Sequence, residues 1–119
     1  MFLTVFAIAL LSGPTQTVDP GRRAFQRCAA CHAIDGSEDL PGPDLRRVYG
    51  RRIGTDSYPY SAAMTAAGRR GLTWDEARLN RFLVDPEAVI PGTSMPSQGG
   101  TAAERAAVID YLKRLSRTR

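Results

Sequence analysis

The spacing of apolar and polar residues along the chain predicts helices separated by long irregular loops. A first helix is expected from about Pro20 to Ala30, because Asp19 is a good N-cap and proline is favoured in the first helical turn. The segment "SYPYSAAMTAAG" indicates a short helix that begins near Ser61 and ends at Gly68.

Two further helices open with the pattern of a capping box, in which threonine is followed three residues later by glutamate. The pattern occurs at Thr73 in "LTWDEARLNRFLVDP" and at Thr101 in "TAAERAAVIDYLKRLSRTR". Pro86 follows the end of the earlier of these two helices. The residues expected on their apolar faces are Trp74, Ala77, Leu79, Phe82 and Leu83, and then Val108, Tyr111, Leu112 and Leu115. No segment alternates like a strand, so the predicted fold class is all-α.

Two loops rich in glycine and proline, "IDGSEDLPGPDL" and "AVIPGTSMPSQGG", are too irregular to be regular structure throughout. Between them, "PDLRRVYG" is expected to hold a helical turn that stops at Gly50. The chain has 119 residues, of which only 8% are aromatic, so one domain is expected with few large side chains to fill its core. A bound cofactor would help to fill such a core.

The first eleven residues, "MFLTVFAIALL", are apolar except for Thr4. This run is shorter than the ~20 residues that span a bilayer, but it suits the core of a signal peptide. No positive charge precedes it, and no small-x-small cleavage pattern follows it before Val18, so its retention as a weak anchor stays open. We expect residues 1–18 to be an export signal, residues 19–119 to be the folded domain, and the periplasm to be the destination.

The net charge is +4, with fifteen arginines and a single lysine. The arginines occur largely as pairs along the chain, with acidic residues between the pairs, which is typical of a mixed, solvated surface. No long basic run and no alternation of basic and aromatic residues occurs, so nucleic acid is not expected as a partner.

The stretch "RCAACHAI" contains the only two cysteines, Cys28 and Cys31, and the only histidine, His32. Two thiols at this spacing can each add to one vinyl group of haem, and the next residue then offers its imidazole to the iron. Cys-x-x-Cys-His is the attachment pattern of c-type haem, in which the histidine is an axial ligand. One haem c, covalently bound through both cysteines, is the expected cofactor.

A disulfide and a zinc site are the two alternatives to haem. A thioredoxin-like disulfide needs no adjacent histidine and occurs near a βαβ unit, which the sequence does not predict. A structural zinc site needs four ligands, and the chain has two cysteines and one histidine. A carboxylate could supply the fourth ligand, but no pattern indicates one.

Because His32 is the only histidine, the second axial position must be taken by methionine, lysine or another weak ligand, or stay open. Met1 belongs to the leader, and Met64 lies in a predicted helix, where methionine commonly fills the core. Met95 lies between two prolines in "IPGTSMPS", a loop stiff enough to hold a thioether in place. Met95 is therefore the favoured ligand, and His/Met ligation raises the reduction potential, which suits electron transfer.

The chain from about Asp19 to Leu115 resembles the class I cytochromes c, close to mitochondrial and bacterial electron carriers. The motifs "FQRCAACH", "GPDLRRVYGRRIG", "YPYSAAM", "LTWDEARLNRFLVDP", "IPGTSMP" and "AAVIDYLKRL" occur in the order of that family. The resemblance implies a fold in which the first and last helices pack together, with shorter helices and loops around one covalent haem. Phe25 and Tyr111 match the contact between those two helices.

The resemblance also implies roles around the two ligands. The Pro43 carbonyl is expected to accept a hydrogen bond from the His32 ring, which fixes the ring and raises its basicity. Leu45 is expected to pack on the haem. The mitochondrial members of the family have a tyrosine four residues before the proline that ends the helix, and its hydroxyl reaches the ligand sulfur; this chain has Phe82 there. The loss of that hydroxyl is expected to change the surroundings of Met95.

A further set of residues matches those that hold the haem propionates in the family. Arg51, Tyr60 and Trp74 are expected to hydrogen-bond the buried propionate, where an unpaired carboxylate would be costly. Tyr58 is expected to border the same pocket. Thr93 matches a hydroxyl that contacts the other propionate.

The mitochondrial carrier surrounds its exposed haem edge with lysines, and this chain departs from that pattern. The matching positions are Arg27, Leu40, Glu87, Ser94 and Thr101, with Glu38 and Asp39 close to the second. Only Arg27 keeps the positive charge, so electrostatic steering toward an acidic partner should be weak. A partner with a near-neutral or mixed surface is expected.

Three functions are compatible with these residues. The first is a monomeric carrier, not an enzyme, that passes single electrons between periplasmic or membrane redox proteins by transient docking. The second is a tightly bound haem subunit of a larger oxidoreductase, which the missing charge ring favours slightly because a fixed subunit needs no steering. The third is a haem protein that binds gas or peroxide with Met95 dissociated.

Overall fold

The computed structural model describes residues 7–8, 13 and 18–118. This part of the chain contains the helices α1 (Pro20–Phe25), α2 (Ala62–Arg69), α3 (Glu76–Val84), α4 (Pro86–Val89) and α5 (Ala102–Leu115). The described residues contain no β-strand, and one isolated antiparallel bridge joins Arg52 to Thr73. The predicted all-α fold class is therefore confirmed. Most of the segment predicted to be an export signal lies outside the described residues.

One apolar core connects the helices with the irregular segments between them. Its buried members are Phe25, Val48, Ile53, Met64, Ala67, Trp74, Leu79, Phe82, Ile90, Val108, Ile109 and Leu112. Ile53 and Ile90 are the most deeply buried of these side chains, and both lie outside the helices. The irregular segments are therefore part of the core. Cys28, Leu45 and Met95 pack against the same core as partly buried side chains.

The first and last described helices, α1 and α5, pack closely together at a small residue. A Cβ atom at Gly21 would come within 2.6 Å of the Tyr111 Cβ atom and 2.7 Å of the Ala107 carbonyl oxygen. Beside this contact, the rings of Phe25 and Tyr111 lie 5.8 Å apart at a tilt of 55°. The contact between Phe25 and Tyr111 that the family resemblance implied is present.

An ion pair holds the same two helices together at the start of the domain. Both carboxylate oxygens of Asp19 accept hydrogen bonds from the guanidinium of Arg114, at 2.6 and 3.0 Å. Asp19 is also the N-cap of α1 and accepts from the Gly21 N–H at 2.9 Å. The pKa of Asp19 is lowered, chiefly by the hydrogen bond from Arg114 and then by the backbone N–H of Gly21.

This lowered pKa predicts an acid-dependent stability. A carboxylate with a depressed folded-state pKa contributes its full stability above the ordinary value of 3.8, and loses it as the pH falls through the folded value. Asp19→Asn should lower the thermal unfolding midpoint by a few degrees at neutral pH, because asparagine caps equally well but has no charge. The difference from the unsubstituted protein should close in acid, as measured by circular dichroism across pH. Asp110→Asn removes the carboxylate that accepts from Arg114 Nε, and it should lower the unfolding midpoint less. Equal losses in the two variants would contradict the special role of Asp19.

Two predicted helix boundaries are wrong. Regular α1 ends at Phe25 and does not reach Ala30, because the following residues form tighter turns, with bonds such as Cys28 N–H to the Phe25 carbonyl at 2.7 Å. The predicted capping box at Thr73 does not form, because Thr73 is held in the bridge with Arg52. Asp75 caps α3 in its place and accepts from the Arg78 N–H at 2.7 Å.

The other helix predictions have mixed outcomes. α2 has Ser61 as its N-cap, as predicted, and extends one residue past Gly68. α5 opens with the predicted capping box, in which the Glu104 N–H donates to the Thr101 hydroxyl at 3.1 Å. The one-turn helix α4 was not predicted; Asp85 caps it and Pro86 occupies its first turn.

Candidate functional site

The Cys-x-x-Cys-His segment forms a tight turn directly after α1. The N–H groups of Cys31 and His32 both donate to the Cys28 carbonyl, at 3.1 and 2.9 Å. Both thiols are free, with Cys28 half-buried and Cys31 exposed. Burial raises the pKa of the Cys28 thiol, and the nearby charge of Arg27 opposes that rise. The turn therefore presents two unpaired thiols and one imidazole from five consecutive positions.

The His32 ring has a fixed orientation. Its Nδ1 lies 2.8 Å from the Pro43 carbonyl oxygen, so Nδ1–H donates and Nε2 keeps its lone pair for a metal. The Gly42 N–H donates to the Cys31 carbonyl at 2.6 Å, which brings the backbone of Gly42 against the ring. The hydrogen bond to Pro43 that the resemblance implied is present. Leu45 continues this segment, and its N–H donates to the Ala33 carbonyl at 2.9 Å.

Met95 is held by the hydrogen bonds of the segment that follows α4. The Gly92 N–H donates to the Glu87 carboxylate at 3.0 Å, and the Thr93 N–H donates to the buried Ile90 carbonyl at 3.0 Å. The Met95 N–H in turn lies 3.4 Å from the Thr93 hydroxyl oxygen. The structure therefore gives the Thr93 hydroxyl a contact with the backbone of Met95; its contact with a propionate stays a prediction.

The guanidinium of Arg51 has one buried N–H group that fits a haem propionate. Its Nη2 atom lies 3.3 Å from both the Tyr60 hydroxyl and the Asp56 carboxylate. Its Nε atom is buried and has no hydrogen-bond partner. A buried donor of this kind is costly without an acceptor, and a propionate carboxylate is an acceptor of suitable charge. Two free thiols, an oriented imidazole, a thioether and this donor together fit a haem c.

Two aromatic residues of the predicted propionate pocket contact Arg51, Tyr60 through its hydroxyl and Trp74 through its backbone. Trp74 is buried, and its backbone pairs with that of Arg51 through a bond from Trp74 N–H to the Arg51 carbonyl at 2.9 Å. The Tyr58 and Tyr60 rings meet edge to face at 5.1 Å, while the Tyr58 hydroxyl donates to the Pro41 carbonyl. The pKa of Tyr60 is raised, mainly by burial and then by its hydrogen bond with Asp56.

Phe82 packs on the pocket residue Trp74. The two rings meet edge to face with centroids 4.8 Å apart, and Phe82 is buried. The contact of Phe82 with a haem stays a prediction.

Sequence reasoning missed two residues of this site. Gly42 supports the histidine ring and could have been found only as the glycine that precedes Pro43. Asp56 pairs with Arg51, and no sequence pattern marks it. Among the described residues, no three His, Cys, Asp or Glu side chains group in a way that could hold a metal ion, so this part of the chain offers no zinc site of that kind.

Comparisons with known proteins agree with this geometry. The sequence profile of the cytochrome c family matches residues 18–116. Cytochrome c2 iso-2 of Magnetospirillum fulvum is 44% identical over 94 residues, which cover 77% of this chain and 95% of the relative. The structure of cytochrome c2 from Rhodospirillum centenum has a TM-score of 0.73 and 33% identity, covering 83% of this chain and 99% of that one.

A second solved structure gives the same result. Cytochrome cH from Methylobacterium extorquens has a TM-score of 0.69 and 37% identity, covering 80% of this chain and 95% of that one. The match covers nearly the whole chain of both structural neighbours. The chain therefore belongs to the class I cytochrome c family and is an electron-transfer protein with one haem c bound covalently through Cys28 and Cys31.

Proposed function

We propose that this protein transfers single electrons and that His32 and Met95 would hold its haem iron. When bound, haem c supplies the redox chemistry, since its iron alternates between the ferric and ferrous states. The observation that carries the proposal is the 2.8 Å hydrogen bond from His32 Nδ1 to the Pro43 carbonyl, which leaves Nε2 as the ligand atom. Met95 is the other candidate because its segment is fixed at Gly92 and Thr93.

The remaining residues of the site stabilise the cofactor's charge and limit access to it. Arg51 and Tyr60 would compensate a propionate carboxylate in a partly buried place, which would otherwise favour the protonated acid. Trp74 and Phe82 exclude water from that side, since both are buried and packed on one another. Thr93 and Leu45 are proposed to line the same cofactor.

The absorption spectrum of the purified ferric protein tests this proposal. We expect a low-spin spectrum with the methionine-to-iron charge-transfer band. A high-spin spectrum without that band would contradict the ligand assignment and favour the haem protein that binds gas or peroxide. The similar proteins bear the names of individual cytochromes, so the interpretation as a fixed subunit gains no support from them.

We place this carrier in the periplasm, because an apolar segment suited to an export signal precedes the family domain. Among the described residues, no helix is both long enough and apolar enough to cross a membrane. Mass spectrometry of the protein from the native periplasm and membranes would report the mature N-terminus and any stably bound partner. An intact leader on the membrane-bound protein would favour a retained anchor.

The proposed docking surface comprises the five compared positions Arg27, Leu40, Glu87, Ser94 and Thr101, which together carry one positive and one negative charge. Arg27, the one positive charge at the five compared positions, forms an ion pair with Glu104 at 2.8 Å. Its charge is therefore locally compensated, and its steering effect on a partner is further reduced. A redox partner with a near-neutral or mixed contact surface fits this arrangement.

This surface predicts a weak effect of salt on docking. The rate constant for association with the physiological redox partner should change by less than about threefold between low and physiological ionic strength, whereas steered pairs slow far more. Stopped-flow kinetics across a salt series measure this. Glu104→Gln should steepen the dependence, because it frees the charge of Arg27. Glu76→Gln, an equal change of net charge on the first turn of α3, should not. A steep slowing of the unsubstituted protein with salt would contradict the prediction.

A further inference from the structure

Asp56 places a second carboxylate beside the arginine of the propionate pocket. Its Oδ2 atom lies 3.3 Å from Arg51 Nη2, and both side chains are about three-quarters buried, with exposures of 25% and 22%. Its Oδ1 atom accepts a hydrogen bond from the Tyr58 N–H at 3.2 Å. The carboxylate is therefore fixed to the loop on one side and to Arg51 on the other.

The other charged and titratable groups around Asp56 do not offset its charge. Tyr60 shares Arg51 Nη2 with Asp56, and its phenol is neutral at physiological pH. Glu38 approaches the loop through the Ser57 hydroxyl at 2.6 Å and adds a further negative charge on the exposed side. Arg51 is the cation paired with Asp56 in the described structure.

We propose that Asp56 lowers the reduction potential of this cytochrome by sharing Arg51 with a haem propionate. The inference rests on the proposed function, since it requires a haem with a propionate beside Arg51. One guanidinium between two carboxylates leaves one negative charge uncompensated in a partly buried site, where charges are weakly screened. A negative charge near the iron stabilises the ferric state relative to the ferrous state, so it lowers the potential.

A second observation supports this sharing: the nitrogen atoms of the Arg51 guanidinium have different partners. Nη2 is engaged by Asp56 and Tyr60, while Nε is buried without an acceptor. The structure therefore leaves the buried Nε–H for the propionate and commits Nη2 to Asp56 and Tyr60. An arginine paired with the propionate alone would compensate its charge, so Asp56 is a positioning residue that tunes the potential through Arg51.

The test is a redox titration of the Asp56→Asn holoprotein. Asparagine keeps an oxygen to accept from the Tyr58 N–H and removes only the charge. At a given applied potential, the ratio of ferrous to ferric protein should be about three- to tenfold higher than in the unsubstituted protein, as expected for one unit charge in a partly buried site. A tenfold gain corresponds to a rise of about 59 mV for a one-electron couple.

Asp110→Asn is the matched control, because it removes the same charge from the exposed face of α5. Its potential should change far less than that of Asp56→Asn. Equal rises in the two variants would show a bulk charge effect and overturn the proposal. An unchanged potential in Asp56→Asn, with or without a lower unfolding midpoint, would also overturn it.

The charge-transfer band of Met95 separates this result from the proposed function. If the band is present in both proteins and the potential does not move, the role of Asp56 fails while the His32/Met95 assignment stands. If the unsubstituted protein lacks the band, the ligand assignment fails on its own evidence, whatever the titration gives.

Discussion

Replacing Met95 by alanine should abolish the methionine-to-iron charge-transfer band and convert the ferric protein to a high-spin form. No second histidine can take over the position, because His32 is the only one, and the chain has a single lysine, Lys113. Lys113 lies on α5 with its ammonium 5.7 Å from the Tyr49 ring centroid. Water or an added ligand such as imidazole should therefore bind the iron of the variant. The potential should fall by a sizeable part of the ~0.8 V range that axial ligands set.

Met64→Ala is the matched control, since the other methionine of the folded domain is also the other candidate thioether. Met64 is buried in α2 and belongs to the core. Its truncation should cost about 2–5 kcal/mol of unfolding free energy and leave the charge-transfer band in place. Visible absorption, redox titration and imidazole binding on both variants separate the two roles. If Met95→Ala kept the band and Met64→Ala lost it, the ligand would be Met64.

Much of the site could be predicted from sequence because its chemistry is local. Cys28, Cys31 and His32 lie in one five-residue stretch, so their spacing alone indicates a covalent haem. Met95 was reached by elimination, since a single histidine leaves few possible partners. The hydrogen bond from His32 to Pro43 could be predicted only through the resemblance to a family, because the two residues are eleven positions apart.

The helix errors come from choices that local patterns cannot decide. "TWDE" contains two possible N-caps, Thr73 and Asp75, and the bridge from Thr73 to Arg52 selects the second. Asp85–Pro86 has the same N-cap and proline arrangement as Asp19–Pro20, yet Pro86 was interpreted only as the end of α3. Proline after a helix can both end it and begin the next one.

Residues that meet only in the folded chain could not be predicted. Asp56 is an acidic residue in a polar loop, and its importance comes from Arg51, which the loop folds back to meet. The meaning of Arg27 also changed, because the sequence showed a cation at the docking surface and the structure pairs it with Glu104 on α5. The uncompensated charge of a surface can therefore be judged only from the folded structure, because ion pairs form between residues that are far apart in sequence.

Gly42→Ala should displace the His32 ring, because no space for a methyl group exists beside it. A Cβ atom at Gly42 would lie 2.5 Å from His32 Cε1, 2.7 Å from Nδ1 and 2.8 Å from the Cys31 carbonyl oxygen. The ring cannot move aside cheaply, since its Nδ1 is bound to the Pro43 carbonyl. Overpacking of this kind costs about 1–3 kcal/mol or more. The bond between His32 and the iron should weaken, so the ferric spectrum should shift toward high spin and the unfolding midpoint should fall.

Gly71→Ala is the control that separates damage to the site from a general loss of stability. Gly71 has φ +81°, so alanine there is strained, but its Cβ would have no atom within 4 Å. That variant should lose about 1–2 kcal/mol and keep the spectrum of the unsubstituted protein, because the strain is confined to the backbone after α2. Visible absorption and thermal unfolding should be measured on both variants. A Gly42→Ala protein with an unaltered spectrum and an unfolding midpoint no lower than that of Gly71→Ala would show that Gly42 does not set the position of His32.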